Sequence, residues 1–164
     1  MKMLEAKIEG LALDMTTNSP VVILAPTGLN KVLPIWIGHA EAWGIAMELS
    51  GVKSKRPLTY DLLRDVIETL DATVERVEIT ELREQTFYAR IHLSSNGQNY
   101  EIDARPSDSI ALALKVKAKI FVNEDLFNIS EDQADQSTGM PTDPESLRER
   151  LKKINPEDFG KYSL

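Results

Sequence analysis

Residues Thr73–Val116 read TVERVEITELREQTFYARIHLSSNGQNYEIDARPSDSIALALKV, and this stretch decides the fold. Three strands, Thr73–Leu82, Gln85–Leu93 and Gln98–Asp103, follow one another closely. The first two are joined by a tight turn at Arg83-Glu84. The second and third are joined by Ser94-Ser95-Asn96-Gly97, where the Asn-Gly pair is a strong hairpin signal because both residues accept positive φ cheaply. A helix comes next, with Ile110, Ala111, Leu112, Ala113, Leu114 and Val116 making it apolar nearly all round. Such a helix has no solvent face, which predicts the central buried helix of the domain. Hairpins interleaved with helices give an α+β class with a mixed sheet.

The flanks extend this pattern. Upstream, Ala6–Asp14 alternates loosely and Val21–Leu24 is a short β-branched run. Lys31–Ile37 is a third strand whose Pro34 cannot donate to a ladder, so it belongs at an edge or a bulge. A helix over His39–Leu49 carries Ala40, Ala42, Gly44 and Ala46, which let another backbone approach closely. A second helix follows Thr59. There Leu62, Leu63, Val66, Ile67 and Leu70 recur at helical spacing as the inward stripe, while Asp61, Arg64, Asp65 and Glu68 face outward. Downstream, Lys119–Val122 is a last strand and Asp125-Leu126-Phe127 a short turn. Residues 129–144 have a linker's composition. A final helix, Pro144–Ile154, carries a narrow seam of Leu147, Leu151 and Ile154 suited to docking on the body or on a second subunit. The organisation is therefore one domain over 1–128, an acidic linker over 129–144, and a short helix and tail over 145–164.

Composition bounds the function. The chain has 164 residues, 42% hydrophobic and 27% charged, which is enough to bury a core without staples. The absence of cysteine excludes disulfides, thiol catalysis and Cys-ligated metals. No stretch reaches the length of a membrane span, and the N-terminal residues lack the apolar run of a signal peptide, so the expected location is the cytoplasm. The net charge of −7 is localised. Residues 1–122 hold 14 Lys/Arg against 16 Asp/Glu, residues 123–146 hold seven acids and no base, and residues 147–164 are net basic. The body is near neutral, without the basic stripe of a tight duplex binder.

An Arg-Pro pair precedes a helix twice, at Arg56-Pro57-Leu58-Thr59-Tyr60-Asp61 and at Arg105-Pro106-Ser107-Asp108. Pro tolerates a first helical turn, and Thr59 and Ser107 are capping residue types. Free N–H groups beside an arginine suit an anion, with phosphate the usual one. Asp61 and Asp108 would put a carboxylate beside it. The alternative is that both are simply well-capped helix starts with a dipole-favoured acid. If the first reading holds, both starts share one anion-binding cleft.

With Leu33-Pro34-Ile35-Trp36-Ile37-Gly38 and Glu41-Ala42, these two motifs make the chain resemble the bifunctional nuclease family over roughly residues 3–128. That resemblance implies hydrolysis of DNA and RNA. The family usually has His in the Arg-Pro-Leu-Thr-His-Asp motif, where this chain has Tyr60; a phenol positions or donates but is a poor base at pH 7.

Phosphodiester hydrolysis needs a stabilised phosphoryl charge, an activated water and a stabilised leaving oxygen. Arg56, Thr59, Arg105 and Ser107 are the expected substrate contacts, and His39, Glu41, Asp61 and Asp108 the expected catalytic groups. Asp103 and Asp108, across one strand-to-helix turn, are candidate ligands for Mg²⁺ or Mn²⁺, hard cations that take oxygen donors. The aromatics Trp36, Trp43, Phe87, Tyr88 and Phe121 fall in strands or an apolar helix and are expected in the core. Two functions follow. One is a divalent-metal-dependent nuclease of low sequence preference. The other is a non-catalytic oligomeric module that binds an anionic ligand or partner at its Arg-Pro helix starts. Either is expected to be a homo-oligomer, most simply a two-fold dimer, with no membrane partner.

Overall fold

The computed structural model describes residues 1–128, Glu145 and the backbone of Leu151–Ile154. The elements are β1 (Met3–Asp14), β2 (Ser19–Pro26), β3 (Leu33–Trp36), α1 (His39–Ser50), α2 (Thr59–Thr69), β4 (Ala72–Arg83), β5 (Thr86–Ser95), β6 (Gln98–Ala104), α3 (Pro106–Val116), β7 (Lys119–Asn123), a 3-10 turn (Glu124–Asn128) and β8 (Leu151–Ile154). The strands lie in the order β3-β2-β1-β7-β4-β5-β6. Every pairing is antiparallel except β4 with β7, so the sheet is mixed.

Both hairpins in the 73–116 stretch form with two-residue loops. Glu84-Gln85 and Asn96-Gly97 have positive φ at both positions, the conformation that matches the twist of the flanking strands. The first turn thus sits one residue later than Arg83-Glu84. Pro34 lies on β3, an edge strand, where its missing donor is harmless.

Helix α3 is the central element, as its composition implies. Ile110, Ala111, Leu112 and Ala113 are buried against Val77 and Ile79 of β4, Ala89 and Ile91 of β5, and Ile120 and Val122 of β7. Truncating Leu112 to Ala there would cost about 2–5 kcal/mol, the usual range for a buried leucine. On β4, β5 and β6 the face of the sheet away from α3 is polar, whereas on β1–β3 it carries a second small apolar cluster of Ala12, Val21 and Val32. The polar part holds a ladder in which Glu78 lies 2.7 Å from Arg76 and 2.8 Å from His92, and Arg90 lies 2.6 Å from Glu101.

Two expectations are corrected. Of the apolar stripe of α2 only Ile67 packs against the core; Leu62 (58% exposed), Leu63 (37%), Val66 (48%) and Leu70 (70%) are exposed. Tyr60, Asp61 and Arg64 are instead partly covered. The helix is rolled this way because its first turn is held by polar contacts to α3, described below. The helix expected over Pro144–Ile154 also fails at its end: Leu151–Ile154 is a strand, antiparallel to Leu11–Asp14 of β1. On β1, β7 covers only Met3–Ala6, which leaves the other end of that edge open, and β8 fills it. A three-residue seam is too little to hold a helix against such pairing. The remaining residues of that expected helix other than Glu145, which is helical, and the linker over 129–144 lie outside the described residues.

Candidate functional site

α1 and α2 both pack on α3, and polar side chains join the three helices in two layers. Glu41 and Glu48 are seven residues apart on α1, as are Asp108 and Lys115 on α3. Seven residues is two turns, so each pair projects from one helix face. The first turn of α2 supplies the third partner of each layer.

In the first layer, the Arg105 guanidinium grips Asp108 through Nε (2.8 Å) and Nη2 (3.1 Å), and lies 2.9 Å from Oε1 of Glu41. The Tyr60 hydroxyl donates to Oδ1 of Asp108 at 3.0 Å. In the second layer, Nζ of Lys115 lies 2.6 Å from Glu48 and 2.7 Å from Asp61. The other Asp61 oxygen accepts the Leu58 N–H at 2.9 Å and so caps α2. Gly44 sits between the layers, and a Cβ there would come within 2.6 Å of the Tyr60 ring. Only a glycine lets that ring lie against the α1 backbone.

These contacts set the protonation preferences. Partial burial, reinforced by the Asp108 and Glu41 carboxylates, pushes the Tyr60 phenol further above its ordinary value, so it is a donor and not a base. Asp108 and then Glu41 hold the Arg105 guanidinium charged. The Lys115 ammonium lowers Asp61 below the usual carboxylate range. Burial alone would lower Lys115, but Asp61 and Glu48 override it and raise its pKa.

Of the residues expected from sequence, Arg105, Asp108 and Glu41 assemble. Asp61 stands in the other layer, with Lys115. Thr59 and Ser107 are not caps. The N-cap positions are Leu58 and Arg105, one and two residues earlier, and neither helix has a side-chain N-cap bond from its cap residue. Thr59 is exposed and Ser107 is buried in the first turn of α3. His39 opens α1, exposed and without a side-chain partner among the described residues. Asp103 and Asp108, the candidate metal ligands, have different surroundings. Asp103 is exposed on β6 opposite Arg90, while the helix turns Asp108 toward α2. No group of three or more His, Asp or Glu side chains capable of holding a metal exists among the described residues. The carboxylates that do meet each already face a cation, so they do not fit a preformed Mg²⁺ or Mn²⁺ centre.

The two helix starts touch through Tyr60 and Asp108, yet their arginines line different cavities. Arg56 lines a groove of about 860 Å³ between α1, the loop over residues 51–58 and α2. Arg105 lines one of about 550 Å³ beside Ser107, Gly38 and the buried Asp14, whose carboxylate accepts the Trp36 indole N–H at 3.0 Å. The single cleft expected to hold both arginines is therefore corrected to two. The five aromatics expected in the core are all only partly buried: Trp43 lines the first groove, and Trp36 and Phe87 the second. Lys115 and Glu48 escaped the sequence reading, although their spacing of seven from Asp108 and Glu41 was a usable signal.

The family model described as the bifunctional nuclease domain matches residues 21–135. An uncharacterized protein of Mycobacterium tuberculosis is 38% identical over 162 residues, covering 94% of this chain and 97% of its own length. Bifunctional nuclease 1 of Oryza sativa subsp. japonica is 27% identical over 113 residues, 67% of this chain and 34% of that protein. Bifunctional nuclease 2 of Arabidopsis thaliana is 27% identical over 110 residues, 65% of this chain and 33% of that protein. The similarity thus spans about a third of each plant protein.

Proposed function

The chain belongs to the bifunctional nuclease domain family, and from that premise we propose that it hydrolyses phosphodiester bonds in DNA and RNA in the cytoplasm. The observation that carries this reading is the Arg105 cluster. Its guanidinium is fixed on one side by Glu41 and Asp108 but remains 65% exposed, open to a phosphate oxygen. An arginine already held in place loses little freedom when it meets a developing phosphoryl charge. Water attacks the phosphorus as Asp108 or Glu41 takes its proton, the bond from phosphorus to the leaving oxygen breaks, and that oxygen takes a proton from solvent. Tyr60 orients Asp108 by donating to it. No step is routed through a divalent ion, because the carboxylates are engaged as described.

The test is cleavage of labelled DNA and RNA by the full chain, with Mg²⁺ or Mn²⁺ supplied in one arm and a chelator in the other. Asp108→Asn keeps the shape of the side chain and removes its charge. It should cut turnover by about 10²-fold or more with the circular dichroism unchanged. Wild type that leaves both substrates intact in every arm would end the nuclease reading. A non-catalytic module that binds an anionic ligand is then favoured, since the Arg56 groove holds cations but no histidine.

We also propose a two-fold dimer. The exposed stripe of Leu62, Val66 and Leu70 carries no charge, so it is complementary to itself and a second copy suits it. Light scattering should show twice 18.4 kDa, and Val66→Glu should return the monomer. A wild-type mass of one chain would rule the dimer out.

A further inference from the structure

We propose that the 860 Å³ groove is a phosphate track for the backbone of a nucleic-acid strand, with Lys53, Lys55, Arg56 and Lys117 as its contacts. The inference rests on the nuclease reading for its choice of polyanion and adds the binding surface that reading lacks.

Charge placement is the first argument. In a chain of net charge −7, six cations line this one groove: Lys53, Lys55, Arg56, Arg64, Lys115 and Lys117. The lining acids are Glu48 and Asp61, and both are bound to Lys115. Arg64 is held by Asp65 at 2.9 Å. The other four cations make no side-chain hydrogen bond or ion pair with any described residue. Cations of one sign gathered on a concave wall repel one another and raise the local concentration of a polyanion.

The second argument is where the groove leads. Tyr60 and Asp61 are neighbours in the first turn of α2, and both line the groove. From Tyr60 the hydroxyl reaches Asp108, which Arg105 grips. A strand laid along the four cations therefore runs toward the Arg105 cluster, with Tyr60 as the shared wall. Trp43 adds an aromatic surface to the same groove. Cations along a backbone with aromatics beneath are the two ingredients of sequence-tolerant strand binding.

The experiment measures binding without turnover, by fluorescence anisotropy of a labelled oligothymidylate on the full-length Asp108→Asn chain across a salt series. Neutralising a phosphate contact lowers the slope of log K against log salt by about 0.7 per cation on a single strand. Lys53→Ala/Lys55→Ala in that background should lower the slope by about 1.4, and Lys117→Ala by about 0.7. Lys7→Ala, an exposed cation on β1, should leave it unchanged. An unchanged slope in the groove variants, equal loss in Lys7→Ala, or no binding by the parent would each overturn the track. The two readings separate cleanly. Cleavage by wild type with normal binding in the groove variants removes the track and keeps the nuclease. Groove-dependent binding without cleavage by wild type does the reverse.

Discussion

The starts of α2 and α3 carry the same Arg-Pro pair and use it in opposite ways. In α3, Pro106 is the first helical residue and Arg105 the N-cap, so the guanidinium reaches Asp108 three residues on and Glu41 of the neighbouring helix. In α2, Pro57 lies two residues before the first helical residue, Thr59, and Arg56 stands one further out. From there it reaches no carboxylate and lines the open groove. Two residues of register thus separate an arginine held by its own helix from one left for a ligand. The acids follow suit: Asp108 meets Arg105, whereas Asp61 caps its helix and meets Lys115 instead.

If the two starts act as one unit, the contact joining them should be breakable at Gly44. A Cβ there would meet the Tyr60 ring at 2.6 Å, so Gly44→Ala must push the phenol away from Asp108. Overpacking of this kind costs about 1–3 kcal/mol. Chemical denaturation should show that loss in the wild-type background and much less in Tyr60→Ala, where the clash is gone. Additive effects of the two substitutions would show that the ring and the glycine are not coupled.

The second tie is the Lys115 layer, and its expected effect is smaller. Lys115→Met keeps the stem but leaves Glu48 and Asp61 without their shared cation, at a cost of roughly 1–2 kcal/mol for a partly buried pair. The sign with pH follows from both partners. Asp61 is depressed, so its contribution is present above its unfolded value of about 3.9 and is lost as pH falls through its folded value. Lys115 is raised, so its contribution is present below about 10.4 and is lost as pH rises through its folded value. The stability gap between wild type and Lys115→Met should be flat between those limits and close outside them. A gap independent of pH from acid to alkali would mean that lost packing, and not charge, is responsible.

Much of the fold was legible because local chemistry and tertiary demand agree there. Asn96-Gly97 makes the turn its residue types favour, and α3 is apolar over most of its girth because it packs on the sheet, leaving one face to Asp108 and Lys115. α2 shows the limit. Periodicity reveals a stripe but not which way it faces. That direction is decided by Tyr60 and Asp61 meeting residues 48 and 54 positions away in the chain. The same limit applies to Leu151–Ile154, whose spacing suits a helix until a free strand edge is supplied. Of the site, Arg105, Asp108 and Glu41 were visible as motif residues. The groove cations Lys53, Lys55 and Lys117 were not, since a loop lysine has no periodicity to betray it.

The pairing of β8 with β1 bears on how the protein can be handled. Cutting the chain after Asn128 follows the boundary that composition suggests, but it removes the strand that covers Leu11–Asp14. A sheet edge of four residues would then offer unpaired N–H and C=O groups to any other strand, the usual template for edge-to-edge aggregation. A shortened version intended for crystallisation or expression should therefore keep residues 151–154, or carry a charged substitution on that edge.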